Sequence, residues 1–293
     1  MTPYHGPDVL RVVEIELGVA DLGRSATFYQ DELGFVAVPA EQGVIGISAN
    51  GKIPLLKLRE LPGARPHGQT AGLYHIAFLL PSREELGRFL RRVIQRQIPI
   101  KGAADHVVSE AMYLEDPDGN GIEIYADTDD ATWRNALGEI TMATKPFDYS
   151  GVYYAARSAA SAMPADTVIG HVHLAVGDLE ASARFYRDGV GFSTTSEAFP
   201  AAFFFASGGY HHHLAINVWE PAGKKKPARA GLIAQTIVYP DCETATAAID
   251  RIREAGYPLA ETAAGPIAVD PDGNRIHITV NVTSDHNKAA VSI

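Results

Sequence analysis

An internal repeat constrains the fold of this chain more than any other feature of its sequence. Residues 17–35 read LGVADLGRSATFYQDELGF, residues 174–192 read LAVGDLEASARFYRDGVGF, and the two segments agree at eleven of nineteen positions. Each begins as an alternating strand, passes through an aspartate suited to a helix N-cap (Asp21 and Asp178), and ends its predicted helix near a glycine. Repetition of this kind indicates that similar supersecondary units build the chain.

A second pair of segments repeats further along the chain. Residues 72–81 (GLYHIAFLLP) match residues 231–240 (GLIAQTIVYP), and each segment is followed by a predicted helix. Both then reach the sequence DPDGN, at residues 116–120 and 270–274, which favours a tight turn between antiparallel strands. The chain therefore divides into four modules of one strand, one helix and three strands, at about residues 8–60, 70–127, 167–220 and 229–281.

These modules predict the fold class. A βαβββ module cannot cover both faces of its own sheet, so pairs of modules should combine into curved, barrel-like mixed sheets with the helices outside. We therefore predict an α+β protein of two domains. Residues 1–130 hold the first two modules, residues 131–166 form a linker with little periodicity, and residues 167–283 hold the last two modules.

Composition excludes several classes of function. A formal net charge of −10 argues against a nucleic-acid surface, and the single basic run, Lys224–Lys226, is flanked by prolines and predicts a solvent-exposed loop. We find neither a run of about 20 apolar residues that could cross a membrane nor a signal-peptide core at the N-terminus. With Cys242 as the one cysteine, an intrachain disulfide is impossible and a cytoplasmic protein is expected. A bound metal would need histidine and carboxylate ligands.

Two stretches of the second and third modules concentrate polar groups. Residues 106–123 read HVVSEAMYLEDPDGNGIE, and residues 211–215 read HHHLA. A carboxylate such as Glu123, inside the apolar strand IEIYA, is costly to bury unless it is paired or binds a metal. A single histidine on an apolar strand, such as His75 or His171, is more often an ordinary core residue, so neither is informative in isolation.

The modular pattern resembles the vicinal oxygen chelate superfamily, which includes glyoxalase I, bleomycin-resistance proteins and extradiol dioxygenases. The resemblance covers nearly the whole chain and is closest to the four-module proteins similar to catechol 2,3-dioxygenase. Residues 106–123 resemble the extradiol fingerprint, in which a histidine is followed by an apolar residue and tyrosine, an acidic residue, proline, glycine and glutamate. Ala104 departs from that fingerprint, because the family prefers other residues there, glycine among them.

The resemblance implies a metal site. Superfamily ligands come from the first and last strands of two paired modules, and those positions hold His75 and Glu123 in the second module and His171 in the third. Two histidines and one carboxylate leave one face of a metal open, and the implied ion is Fe(II), with Mn(II) as an alternative. Modules two and three would then pair across the linker, although common extradiol enzymes keep these ligands in their C-terminal half. The matching positions of the other two modules hold Glu14, Ala234 and His277, so these modules offer too few ligands.

The resemblance also implies roles around the metal. His212 matches the acid/base histidine of a His-His-x-apolar-Ala sequence, and Tyr113 matches a donor to a substrate oxygen. His106 and His213 would contact substrate, with His213 the runner-up for the acid/base and a possible fourth ligand. Strand alternation separates His212 from His211 and His213, but which face is inward stays open.

The implied activity is extradiol, or meta, ring cleavage of catechol or a substituted catechol by O2, of the catechol 2,3-dioxygenase type. The implied partners are a small aromatic diol, O2 and further copies of the chain in a homo-oligomer. One alternative is a glyoxalase-like lyase or isomerase, which would need His211 or His213 as a fourth metal ligand. Another is a non-catalytic, small-molecule-binding resistance protein. The run from Tyr113 through Asp116 and Pro117 to Gly119 favours the dioxygenase.

Overall fold

The computed structural model describes residues 3–66, 68, 70–197, 199–219 and 229–281. The predicted basic loop at Lys224–Lys226 lies outside these residues, as do the predicted ends of the third module and of the second half. No helix among the described residues is long and apolar enough to cross a membrane.

Each of the four predicted modules contains one leading strand, one helix and three further strands. The first comprises β1 (Arg11–Val19), α1 (Leu22–Thr27, continued by a π-helical turn at Phe28–Glu32), β2 (Val36–Pro39), β3 (Val44–Ser48) and β4 (Leu56–Glu60). The second comprises β5 (Gly72–Leu79), α2 (Arg83–Arg96), β6 (Gly102–Asp105), β7 (Ser109–Glu115) and β8 (Gly121–Asp127).

Residues between the halves contribute short elements, β9 (Lys145–Pro146) and α3 (Tyr149–Ala155). The third module comprises β10 (Val168–Ala175), α4 (Leu179–Ala183, continued by a π-helical turn at Arg184–Val190), β11 (Ser193–Ser196), β12 (Ala202–Ala206) and β13 (Leu214–Asn217). The fourth comprises β14 (Gly231–Tyr239), α5 (Cys242–Glu254), β15 (Leu259–Thr262), β16 (Gly265–Val269) and β17 (Arg275–Val280).

The described strands form two mixed sheets, each of which takes modules from both halves of the chain. One sheet has the order β15-β16-β17-β14-β1-β4-β3-β2, and the other has the order β11-β12-β13-β10-β5-β8-β7-β6-β9. The leading strands make the central contacts, because β1 pairs antiparallel with β14 and β5 pairs antiparallel with β10. The predicted α+β fold is confirmed, with open sheets rather than closed barrels. The first module therefore joins the fourth, and the second joins the third.

The DPDGN turns connect neighbouring modules within each half. In both turns the first aspartate accepts hydrogen bonds from the backbone N–H groups of the third and fifth residues and from the asparagine amide. Asp118 of the first turn binds the beginning of α1, and Asp272 of the second binds the beginning of α4. The repeated tyrosines Tyr29 and Tyr186 donate to the first aspartate of the turn beside them. The division into two domains around residues 131–166 stays a prediction.

Residues 131–166 pack against the second module. Strand β9 pairs with β6 at the edge of the nine-stranded sheet, and Val152 of α3 is buried in the main core beside α2. This segment therefore extends the second module as well as connecting the halves.

Candidate metal centre

The three predicted ligands lie on adjacent strands in the middle of the nine-stranded sheet. His171 on β10, Ala77 on β5 and Glu123 on β8 are direct Cα partners, and His75 lies two residues before Ala77 on β5. Ile76 follows His75 on β5 and Ile124 follows Glu123 on β8, and both belong to the main core, which includes residues of α2. Because side chains alternate across a strand, the two histidines and the glutamate all project from the other face. Amphipathic alternation thus places the site on the side away from the helices.

The ligand atoms of these side chains converge. His75 Nε2 lies 3.0 Å and His171 Nε2 lies 3.2 Å from Glu123 Oε2, and the two ring nitrogens are 3.3 Å apart. Donors held at about 2.1 Å from a metal, on one of its faces, lie about 3.0–3.4 Å from one another. All three side chains are buried, and they are the group of potential metal ligands found among the described residues. The donor set therefore fits a divalent metal.

The protonation states also suit metal binding. Burial acts to raise the pKa of Glu123, but the adjacent His171 and His75 outweigh it and hold that pKa well below its usual range. Burial lowers the pKa of His171 to about 4, against the opposing effect of Glu123. An ionised carboxylate and a neutral imidazole are the forms that bind a metal. His171 Nδ1 is buried without a hydrogen-bond partner among the described residues, so Nε2 makes the polar contacts of that ring.

Gly121 allows β8 to approach His75 closely. Gly121 and His75 are Cα partners in the parallel β5–β8 pair. A Cβ added to Gly121 would lie 2.2 Å from the carbonyl oxygen of Tyr74 and 3.0 Å from Cβ of His75. Only glycine fits at this crossing without displacing one strand, and Glu123 lies two residues further along the same strand.

Tyr113 and His106 form a hydrogen-bonded pair beside the ligands. Tyr113 on β7 is the direct cross-strand partner of Glu123, and its hydroxyl lies 2.6 Å from His106 Nε2. The other ring nitrogen of His106 lies 3.1 Å from the carbonyl oxygen of Ala143, which can only accept, so Nδ1 carries the hydrogen of this tautomer and Nε2 accepts from Tyr113. Burial, and then the Glu123 carboxylate, raise the pKa of Tyr113 well above its ordinary value. The phenol therefore remains protonated.

The three consecutive histidines have different surroundings. His212 lines the cavity and its ring centroid lies 4.0 Å from that of His171. Burial, and then the neighbouring His171 and His211, lower the pKa of His212 well below its ordinary value. The ring nitrogens of His213 contact the backbone, since Nε2 donates to the Tyr4 carbonyl oxygen and Nδ1 accepts from the N–H of Ser207.

These contacts correct the prediction that His213 reaches substrate or metal. His213 does not line the cavity: the three histidines lie just before β13, and of the three it is His212 that lines the cavity beside His171. His211 is likewise engaged, through Asp127 and His212, and is not available as a fourth ligand.

A cavity of about 700 Å³ opens over the ligands. Apolar and aromatic side chains form much of its wall: Leu73, Tyr74, Met142, Phe199, Phe204 and Trp219. Lys101, the cation in the described lining, is paired with Glu115 at 2.7 Å. Met142 belongs to the segment 131–166, so this segment also forms part of the cavity wall, which the sequence did not predict.

Sequence reasoning assigned no role to His173, which also lines the cavity. It shares the face of His171 and is the direct Cα partner of His75. The Asn217 amide oxygen accepts from the N–H of Trp219, so the amide nitrogen donates to His173 Nε2 at 2.9 Å. The neutral His173 ring therefore carries its hydrogen on Nδ1. The sequence signal for this position is that His173 lies two residues after His171 in HVHLA, so the two side chains share one face of the strand.

The fold and the site together define a member of the Glyoxalase/Bleomycin resistance protein/Dioxygenase superfamily, and the chain belongs to it: the family model matches residues 11–124 and 168–278. A catechol-2,3-dioxygenase of Bacillus subtilis (strain 168) is 41% identical over 256 residues, which are 84% of this chain and 89% of the relative.

Solved structures share the fold at much lower sequence identity. A Bacillus subtilis protein superposes with a TM-score of 0.65 at 13% identity, covering 94% of this chain and 86% of that one. Glyoxalase I from Zea mays superposes with a TM-score of 0.55 at 17% identity, covering 92% of each chain. At these identities the likeness concerns the fold alone.

Proposed function

We propose that this protein is an extradiol dioxygenase that opens the ring of catechol or a substituted catechol with O2, using Fe(II) held by His75, His171 and Glu123. The observation that carries the proposal is the convergence of these three buried ligand atoms within 3.3 Å, at the base of a cavity that also contains Tyr113 and His212. The similarity to a catechol-2,3-dioxygenase over most of the chain supports it.

Bound Fe(II) would supply the coupling of electrons between the substrate diol and O2, and three protein ligands on one face leave positions for both. The residues around it handle protons and water. His212, neutral at physiological pH, accepts a proton from a substrate hydroxyl and later returns it to an oxygen of the opening ring. Tyr113 stays protonated, and when substrate binds its hydroxyl hydrogen turns from His106 Nε2 to the other substrate oxygen.

The apolar walls exclude bulk water, which strengthens these interactions. The carbon–carbon bond next to the diol breaks, both atoms of O2 enter the product, and the borrowed proton is returned. Substrate and O2 thus balance the product without another reductant.

The surroundings of the three histidines disfavour the glyoxalase-like alternative. That reading requires a fourth protein ligand, and both ring nitrogens of His211 and of His213 are occupied by other groups. A non-catalytic resistance protein would not need an acid/base pair beside a complete set of three ligands. Fe(II) rather than Mn(II), the ring substituent and the homo-oligomer remain proposals.

Anaerobic loading with Fe(II), followed by a catechol and then air, tests the function. We expect O2 uptake and a yellow ring-fission product that both depend on Fe(II). His75→Ala, His171→Ala and Glu123→Ala should each remove iron binding. His277→Ala is the matched control, because this partly buried residue occupies in the fourth module the last-strand position that Glu123 occupies in the second. Bound iron without O2 uptake on any catechol would refute the proposal.

A further inference from the structure

A buried hydrogen-bond chain runs from Asp127 through His211 to the cavity. Asp127 is the last residue of β8, on the same face as Glu123 and four residues beyond it. Its Oδ1 lies 2.9 Å from His211 Nε2, and His211 Nδ1 lies 2.8 Å from Nδ1 of His212. Metal binding by the three ligands requires neither Asp127 nor His211, so this chain of contacts needs its own explanation.

The donors and acceptors in the chain fix its direction. An ionised carboxylate only accepts hydrogen bonds, so His211 carries its hydrogen on Nε2 and donates it to Asp127. With His211 as an Nε2–H imidazole, its Nδ1 is an acceptor and Nδ1 of His212 donates to it. The remaining nitrogen of His212, Nε2, therefore carries a lone pair.

The surroundings hold His211 in this orientation. Its side chain is fully buried, and its ring centroid lies 3.9 Å from that of Tyr210 and 4.9 Å from that of Trp133. The Tyr210 hydroxyl donates to the same Asp127 oxygen at 3.0 Å. Asp127 thus accepts two hydrogen bonds, and the His211 ring that it orients is flanked by the Tyr210 and Trp133 rings.

We propose that Asp127 and His211 are positioning residues that hold His212 in its Nδ1–H tautomer, so that Nε2 is kept as the proton acceptor for a substrate hydroxyl. This role in proton transfer rests on the proposed function, whereas the tautomer itself does not. The hydroxyl proton moves to His212 Nε2 while Nδ1–H keeps its hydrogen bond to His211, and the same proton leaves Nε2 when the ring opens. A histidine in the other tautomer would present an N–H to the hydroxyl and could not accept its proton.

Two substitutions of His211 separate tautomer control from packing. In His211→Asn, the amide oxygen takes the position of Nδ1 and can still accept from His212, whereas His211→Phe keeps a ring without an acceptor. Asp127→Leu removes the carboxylate that fixes the His211 tautomer. Tyr210→Phe is the matched control, because it removes a hydrogen bond to the same carboxylate but leaves the Asp127–His211–His212 contacts intact.

The tautomer is read by long-range ¹⁵N–¹H correlation spectra of metal-free protein labelled with [¹⁵N]histidine. The His212 signals are assigned by their loss in His212→Gln. We expect a pyrrole-type Nδ1 and a pyridine-type Nε2 for His212 in the wild type, in Tyr210→Phe and in His211→Asn. In His211→Phe and Asp127→Leu this preference should be lost.

In the Fe(II)-loaded enzyme, His211→Phe should lower kcat on the order of 10²-fold with little change in KM, and His211→Asn should recover most of that loss. A pyrrole-type Nε2 on His212 in the wild type would overturn the inference, as would equal kcat values for His211→Asn and His211→Phe. If the wild type consumes no O2 with any catechol, the proposed function fails, while the spectra still decide the tautomer.

Discussion

Replacing Gly121 by alanine should damage the metal centre without touching any ligand. The added Cβ would lie 2.2 Å from the Tyr74 carbonyl oxygen, and ordinary contacts begin near 3.4 Å, so β5 and β8 must separate by about 1 Å. That displacement carries Glu123 away from His75, and a misplacement of about 1 Å in a reacting assembly can cost about 10²-fold in rate. Overpacking of this kind also lowers the free energy of unfolding by about 1–3 kcal/mol.

Gly102→Ala is a matched control for this prediction. Gly102 lies on β6 of the same sheet, opposite Tyr113, and a Cβ there would meet no atom within 4 Å. We expect Gly121→Ala to lower iron affinity and the rate of O2 uptake with catechol, whereas Gly102→Ala should retain both. Urea unfolding measures the loss of stability. Unaltered iron affinity and rate in Gly121→Ala, or equal losses in both variants, would refute the close-approach argument.

Three further predictions concern stability. Burial lowers the pKa of His5 to about 4, so below pH 6.5 the unfolded chain binds a proton that the folded protein does not. The free energy of unfolding of metal-free protein should therefore fall by about 3 kcal/mol from this residue between pH 6.5 and 4. Urea unfolding at several pH values should show a shallower pH dependence for His5→Gln than for the wild type. Val107, next to His106, has a φ of 73°, which is a strained conformation for a β-branched residue. Val107→Gly should therefore raise the melting temperature, and an unchanged or lower melting temperature would mean that the strain is negligible. Tyr186→Phe removes the 2.8 Å hydrogen bond to Asp270 and should cost about 1–2 kcal/mol in urea unfolding; no loss would show that this turn does not stabilise the fold.

Much of the fold follows from the sequence because the modules repeat. Alternation of apolar residues, the N-cap aspartates Asp21 and Asp178 and the DPDGN turns are local signals, and the structure shows each aspartate capping its helix as predicted. The repeat also made positions in different modules comparable, which identified the strand positions of His75, His171 and Glu123. Local chemistry dictates these features, and one sequence is enough to read them.

Contacts between distant segments could not be read in the same way. The orientation of the HHHLA stretch depended on how the chain enters β13, and only the tertiary structure shows that His212 points into the cavity. The contribution of Met142 to the cavity wall and the partnership of Asp127 with His211 join segments far apart in the chain.

The sequence by itself determined the modules, their turns and which polar residues occupy equivalent strands, because periodicity and turn chemistry act over a few residues. The tertiary structure decided how the modules pair, which histidine of three faces the cavity and which tautomer the hydrogen bonds of His212 specify. These depend on contacts between segments more than 80 residues apart, such as that of Asp127 with His211, and no local pattern records that contact.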